Sequence, residues 1–79
     1  MKRTIAKNLA KKILYKHFEA EKIYCEKEEK TLDRALFLGL STGYLNAARE
    51  VYFMENLGGP VDFVKFFQAV RKEYETSNC

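Results

Sequence analysis

The sequence contains few of the residues that cross-link or interrupt a small fold. It has two cysteines, one histidine, one proline, four glycines and no tryptophan among its 79 residues. Cys25 and Cys79 are far apart and form no CxxC pair, so we expect no disulfide framework and predict a reduced, cytoplasmic protein. One histidine and two separated cysteines cannot supply the three or four ligands of a zinc site. Neither a metal nor a cofactor is therefore expected.

Catalytic patterns are missing as well. His17 and Cys25 are eight residues apart, a rise of about 12 Å on one helix, which is too far for a nucleophile–base pair. We interpret His17 as a packing or surface residue, with no Cys or acid at ligand spacing on its helix face. No catalytic or cofactor-binding residue is assigned, and the protein is not expected to be an enzyme.

Long apolar runs are also absent. No segment approaches the roughly 18 uninterrupted apolar residues of a membrane-spanning helix. The basic pair Lys2 and Arg3 is not followed by the apolar run of a secretory signal. The sequence therefore predicts no membrane partner.

What the chain does contain is apolar and charged residues at helical spacing. Hydrophobic residues make up 47% of the sequence and charged residues 32%, and no segment alternates as a strand does. Apolar residues recur every three or four positions over 4–29 and 60–75, and residues 32–56 are the most apolar stretch. We therefore predict an all-α fold of three to four helices in a single domain, 1–79, with residues 76–79 as a disordered tail.

The predicted helix boundaries rest on local capping chemistry. Thr31 is a candidate N-cap for the central helix, with Asp33 in its first turn, where an acid suits the helix dipole. The stretch Asn56-Leu57-Gly58-Gly59 is expected to end that helix, because glycine readily takes the left-handed conformation of a C-terminal cap. Pro60 fits the first turn of the last helix.

The central segment carries an ordered set of small, apolar and hydroxyl residues. The set is Ala35, Leu38, Gly39, Leu40, Ser41, Gly43, Tyr44 and Leu45. In this order and spacing, residues 32–51 resemble the helix-turn-helix of repressor-type, Xre-like DNA-binding proteins. The sequence departs from that family's pattern at Arg34, Ala48 and Arg49.

The resemblance implies a turn near residues 39–43, with Ser41 capping a second helix that enters the major groove. The DNA contacts that the resemblance implies on that helix are Thr42, Tyr44, Asn46 and Arg49. The basic first helix adds Lys7, Lys11 and Lys12 as further candidate DNA contacts.

A second interpretation makes residues 32–56 one helix with no break at 39–43. Small residues then stack at four-residue intervals along its edge, and such a stripe lets another helix approach closely. The expected helix–helix contact residues are Ala35, Gly39, Gly43 and Ala47. This interpretation places two glycines inside a helix, at a cost of about 1 kcal/mol each relative to alanine.

The two interpretations predict two functions. The leading prediction is a small, non-enzymatic interaction or regulatory protein that acts by self-association, as a homodimer, or by binding a partner protein through a helix face. The alternative is a sequence-specific DNA-binding regulator. Residues 1–17 contain six Lys or Arg and no acid, within a net charge of +3. Such a basic segment suits a solvated helix face, a nucleic acid or an acidic partner.

Overall fold

Three helices make up the protein. The computed structural model describes residues 2–26 and 31–77, which contain α1 (Arg3–Glu26), α2 (Leu32–Met54) and α3 (Pro60–Ser77). No strand occurs within these described residues. The all-α prediction is confirmed, with three helices.

The observed helix ends differ from the predicted ones in small ways. Residues 27–29 of the predicted first helix lie outside the described residues. Thr76 and Ser77, which the sequence assigned to a disordered tail, are the last residues of α3. The Thr76 hydroxyl donates to the carbonyl of Lys72 at 2.9 Å, a bond to the preceding turn that requires helical backbone. Residues 78–79 lie outside the described part.

The start of α2 follows its predicted cap. Thr31 has extended backbone angles, φ −94° and ψ 154°, and its Oγ1 accepts a hydrogen bond from the Arg34 backbone N–H at 3.1 Å. Asp33 lies in the first turn. A threonine cap of this kind stabilises a helix by about 1 kcal/mol. The predicted N-cap is confirmed.

The end of α2 lies at the start of the predicted stop, but its left-handed residue is not a glycine. Asn56, and neither residue of the Gly58–Gly59 pair, takes the left-handed conformation, with φ 53°. The Leu57 N–H then donates to the Tyr52 carbonyl at 3.0 Å, and the Asn56 N–H donates to the Phe53 carbonyl at 3.2 Å. These two bonds form a Schellman cap, which satisfies the last carbonyls of the helix. Asparagine tolerates this conformation better than most residues, so the helix ends before its glycines.

The start of α3 combines proline with a side-chain cap. The Phe63 N–H donates to the Gly59 carbonyl at 3.0 Å, which is the first bond of the new helix. In return, the Gly59 N–H donates to Asp62 Oδ2 at 2.9 Å. This is the reciprocal half of a capping box. Pro60 occupies the first helical position, as predicted, where its missing N–H has no cost.

Helix α1 provides the surface on which both other helices pack. It meets α2 over most of its length and α3 over a smaller area, whereas α2 and α3 approach each other least. Ala6 and Ala10 are fully buried, and Leu14 is completely enclosed. These residues recur at four-residue intervals, so they form one inner face of α1.

Two clusters of buried side chains form the core. The cluster nearest the α2–α3 connection contains Ala6, Tyr52, Leu57 and Phe63. The second cluster contains Leu14, Phe18, Ala48 and Val70. Ring centroids lie 5.3 Å apart between Tyr52 and Phe63, and also between Phe18 and Phe67. Edge-to-face ring pairs at this separation stabilise the packing of α3 on its neighbours.

Candidate functional site

Helix α2 runs without interruption through residues 39–43. The break that the sequence allowed at this point is therefore absent. Neither Gly39 nor Gly43 has a positive φ, and Ser41 faces the interior, where it is 6% exposed. A helix-turn-helix requires a turn in this segment. DNA binding therefore stays a prediction that lacks the turn on which the resemblance depends.

The DNA-contact candidates on α2 do not share one surface. Thr42, Asn46 and Arg49 are exposed, and at about 100° per residue they lie within an arc of about 60°. Tyr44 is half-buried and lies about 160° around the helix from Thr42. A straight α2 can thus present three of these four side chains to one partner.

The basic candidates on α1 also differ from one another. Lys7 and Lys12 are exposed, whereas the Lys11 ammonium forms an ion pair with Glu73 of α3. The hydrogen bond that Lys11 donates to Glu73 raises the pKa of its ammonium above the ordinary value. Lys11 is therefore already engaged in joining α1 to α3.

The face of α2 that points away from α1 is largely apolar and exposed, with the exposed amide of Asn46 as its polar exception. We call it the outer face and define it by these residues: Leu32, Ala35, Leu36, Gly39, Leu40, Gly43 and Ala47. Leu32 and Leu36 are 89% and 59% exposed, although leucine is normally a core residue. Residues 35–48 carry no charge at all. The outer face therefore lacks the charged side chains that usually cover the solvent side of a helix.

The predicted helix–helix contact residues all lie on this outer face or at its edge. Ala35, Gly39 and Gly43 are exposed, and Ala47 is half-buried. A Cβ atom added to Gly39 or Gly43 would meet no described atom within 4 Å. No contact within the described chain explains either glycine. Whether the stripe contacts another helix stays a prediction, and such a helix would have to come from another molecule.

His17 is the centre of a buried polar cluster. Its Nδ1 donates to the Ser41 carbonyl oxygen at 2.7 Å and lies 3.0 Å from Ser41 Oγ. Its Nε2 lies 3.5 Å from Glu21 Oε2, and the other Glu21 oxygen accepts from Arg71 at 2.5 Å. The interpretation that no acid shares the helix face of His17 was wrong, because Glu21 follows it by one helical turn. Sequence reasoning also missed Ser41 and Arg71, which other helices contribute.

The Ser41–His17–Glu21 chain superficially resembles a hydrolytic triad, but its geometry does not suit nucleophilic catalysis. A carbonyl oxygen can only accept, so the 2.7 Å contact places a proton on His17 Nδ1. That nitrogen then has no lone pair with which to take the Ser41 proton. Ser41 is also buried in the middle of α2, where backbone N–H groups are already used by the helix. The cluster therefore acts as a polar link among the three helices.

Comparison with known proteins gives no family assignment: no protein-family model, curated protein or solved structure matches the chain. Within residues 2–26 and 31–77, no helix is long and apolar enough to cross a membrane. The same described residues contain no group of three or more side chains placed to hold a metal ion. The outer face of α2 is thus the surface feature that most needs a functional explanation.

Proposed function

We propose that the protein is a small, non-enzymatic interaction protein that forms a homodimer through the outer face of α2. The observation that carries this proposal is the exposed, uncharged outer face itself. Burying one leucine side chain contributes about 1.5–3 kcal/mol. In a single chain Leu32 and Leu36 stay exposed, so their burial does not contribute to stability. Packing two outer faces together recovers it on both copies.

The outer face also suits close helix–helix approach. Gly39 and Gly43 lie one turn apart, with open space in front of both. Two helices that present small residues to each other can pack at the short end of the 8–10 Å range of interaxial distances. A two-fold axis would place the same face of each copy in the contact, as in most homodimers.

The size of the face sets the expected strength of the dimer. Residues 32–47 span about 24 Å of helix, and a strip about 10 Å wide gives a projected area near 240 Å² per copy. Stable interfaces bury about 800 Å² per partner. We therefore expect a weak dimer, with a dissociation constant of roughly tens to hundreds of micromolar.

Sedimentation equilibrium of the full chain tests the proposal. The wild type should sediment as a dimer at tens to hundreds of micromolar. Leu36→Glu should shift it to monomer without loss of helical circular dichroism, because two buried carboxylates would face each other across the axis. The matched control is Ala69→Glu, which adds the same charge to an exposed position of α3 and should leave the dimer intact. A wild type that stays monomeric and folded throughout this range would refute the proposal.

DNA binding is the second candidate. The observation in its favour is the arc of exposed polar side chains formed by Thr42, Asn46 and Arg49. It predicts retention on duplex DNA that weakens steeply as salt rises, because bound protein releases counterions. Arg49→Ala should then reduce retention. Absence of retention at low salt would remove this candidate and leave the dimer proposal untouched.

A further inference from the structure

A groove between α2 and α3 lies beside the outer face. The groove is open to solvent and has a volume of about 560 Å³. The groove exists because α2 and α3 approach each other least among the three helix pairs. Near their connection, the helices are held together by aromatic side chains, with ring centroids of Phe53 and Phe63 5.8 Å apart. Beyond that point the space between the helices opens.

The walls of the groove are apolar. Helix α2 contributes Leu45 and Phe53, and helix α3 contributes Phe63, Val64 and Phe67. A volume of this size falls within the 300–1,000 Å³ range of small-molecule sites. The lining is also typical of such sites, with many apolar side chains and few polar groups.

The charged side chains that line the groove are all positive. Arg49 and Arg71 are the charged side chains that line it, and no acid does so among the described residues. Arg71 is engaged by Glu21, which does not line the groove. Arg49 is exposed and forms no ion pair with any described residue. A ligand that complements this groove therefore has an apolar body and one negative group.

We propose that the groove binds a free long-chain carboxylate, with its alkyl chain against Phe53, Phe63 and Phe67 and its carboxylate on Arg49. A guanidinium matches a carboxylate in charge and in the spacing of its two parallel hydrogen bonds. Arg49 lies at the middle of the α2 wall, one helical turn from both Leu45 and Phe53. An alkyl chain that starts at Arg49 must therefore bend within the groove, and the volume of about 560 Å³ accommodates a bent chain of about twelve carbons. This binding does not depend on the α2 dimer.

Isothermal titration calorimetry of the full chain with dodecanoate, below its micelle concentration, tests the proposal. We expect saturable binding of one dodecanoate per chain. Dodecyltrimethylammonium, which has the same alkyl chain and the opposite charge, should bind at least tenfold more weakly. Binding of many equivalents, or equal binding of both amphiphiles, would overturn the proposal as detergent-like adsorption.

Two variants locate the site. Arg49→Gln should weaken dodecanoate binding by about 10- to 100-fold, the loss expected for a charge-assisted hydrogen bond. Because Arg49 is exposed, the variant should fold as the wild type does. Val64→Glu should also weaken binding, by placing a carboxylate on the wall, whereas Ala69→Glu should not. Unchanged affinity in both Arg49→Gln and Val64→Glu would refute the assignment of the ligand to this groove.

Discussion

Replacing Gly39 and Gly43 with alanine tests both the course of α2 and its proposed contact. In an isolated chain each change should stabilise the fold, because glycine inside a helix costs about 0.8–1.0 kcal/mol relative to alanine. That gain requires that the new methyl group meets nothing. A Cβ at either position has no described atom within 4 Å, and neither backbone φ is positive. The expected gain for the double variant is about 1.6–2.0 kcal/mol.

The same change should weaken association. Each added methyl group separates the two outer faces and reduces the close contact that the glycines permit. Stability and dimerisation should therefore change in opposite directions. For a domain of this size, a gain of 1.6–2.0 kcal/mol corresponds to a rise of about 6–16 °C in the midpoint of thermal unfolding, Tm.

Two assays separate these effects. Thermal unfolding by circular dichroism at submicromolar concentration reports the isolated chain, and sedimentation equilibrium at high concentration reports the dimer. Ala69→Gly is the matched control, because it reverses the change on α3 and should lower Tm without changing association. A lower Tm for Gly39→Ala would contradict a continuous, unobstructed helix at that position. A higher Tm with unchanged dimerisation would contradict the outer-face contact.

Four further perturbations test the described contacts. Gly58→Ala should destabilise the fold in urea unfolding by at least about 1 kcal/mol, since its Cβ would lie 2.7 Å from Asp62 Cβ and 2.8 Å from Tyr52 Oη; equal stability would show that the contacts relax. Asn56→Ala should lower the free energy of unfolding by about 1 kcal/mol, because alanine is strained at its left-handed φ, whereas Asn56→Gly should not. His17→Leu should cost about 1–3 kcal/mol, because the buried Ser41 hydroxyl loses a partner; a midpoint equal to that of the wild type would contradict this. Burial, followed by the charge of Asp62, raises the pKa of Tyr52 above its ordinary 10.0. The folded state therefore holds this proton more tightly, so its contribution to stability is complete below pH 10 and is lost as pH rises through the folded-state pKa; Tyr52→Phe should reduce that alkaline loss.

Local chemistry in the sequence was enough to predict where two of the helices begin. Thr31 caps α2 and Pro60 opens α3 because each effect depends on residues within one turn. The end of α2 was harder to predict, because both Asn56 and Gly58 can follow a helix. The turn at Asn56 brings Leu57 into the core beside Tyr52, and this tertiary contact is not visible in the local sequence.

The path of α2 between its two glycines could not be decided from local preference. Gly39 and Gly43 favour a break, yet Ser41 between them is buried against His17 of α1. Further along α2, Ala48 and Tyr52 are buried on the same side of the helix as Ser41. Tertiary packing along a whole helix outweighs a local propensity of about 1 kcal/mol per glycine. The sequence contained the glycines and the serine, but the partner of the serine comes from another helix.

The outer face and the groove differ in charge, and that difference determines what each can bind. Two copies can bring their outer faces together without opposing like charges, because residues 35–48 carry none. The groove cannot be shared in this way, since a second copy would place its own Arg49 and Arg71 against the first pair. A negatively charged ligand neutralises the arginines of the groove. The outer face offers such a ligand no positive charge, because residues 35–48 carry none. Dodecanoate and high salt should therefore leave the dimer unchanged, whereas Leu36→Glu should dissociate it without changing the affinity for dodecanoate.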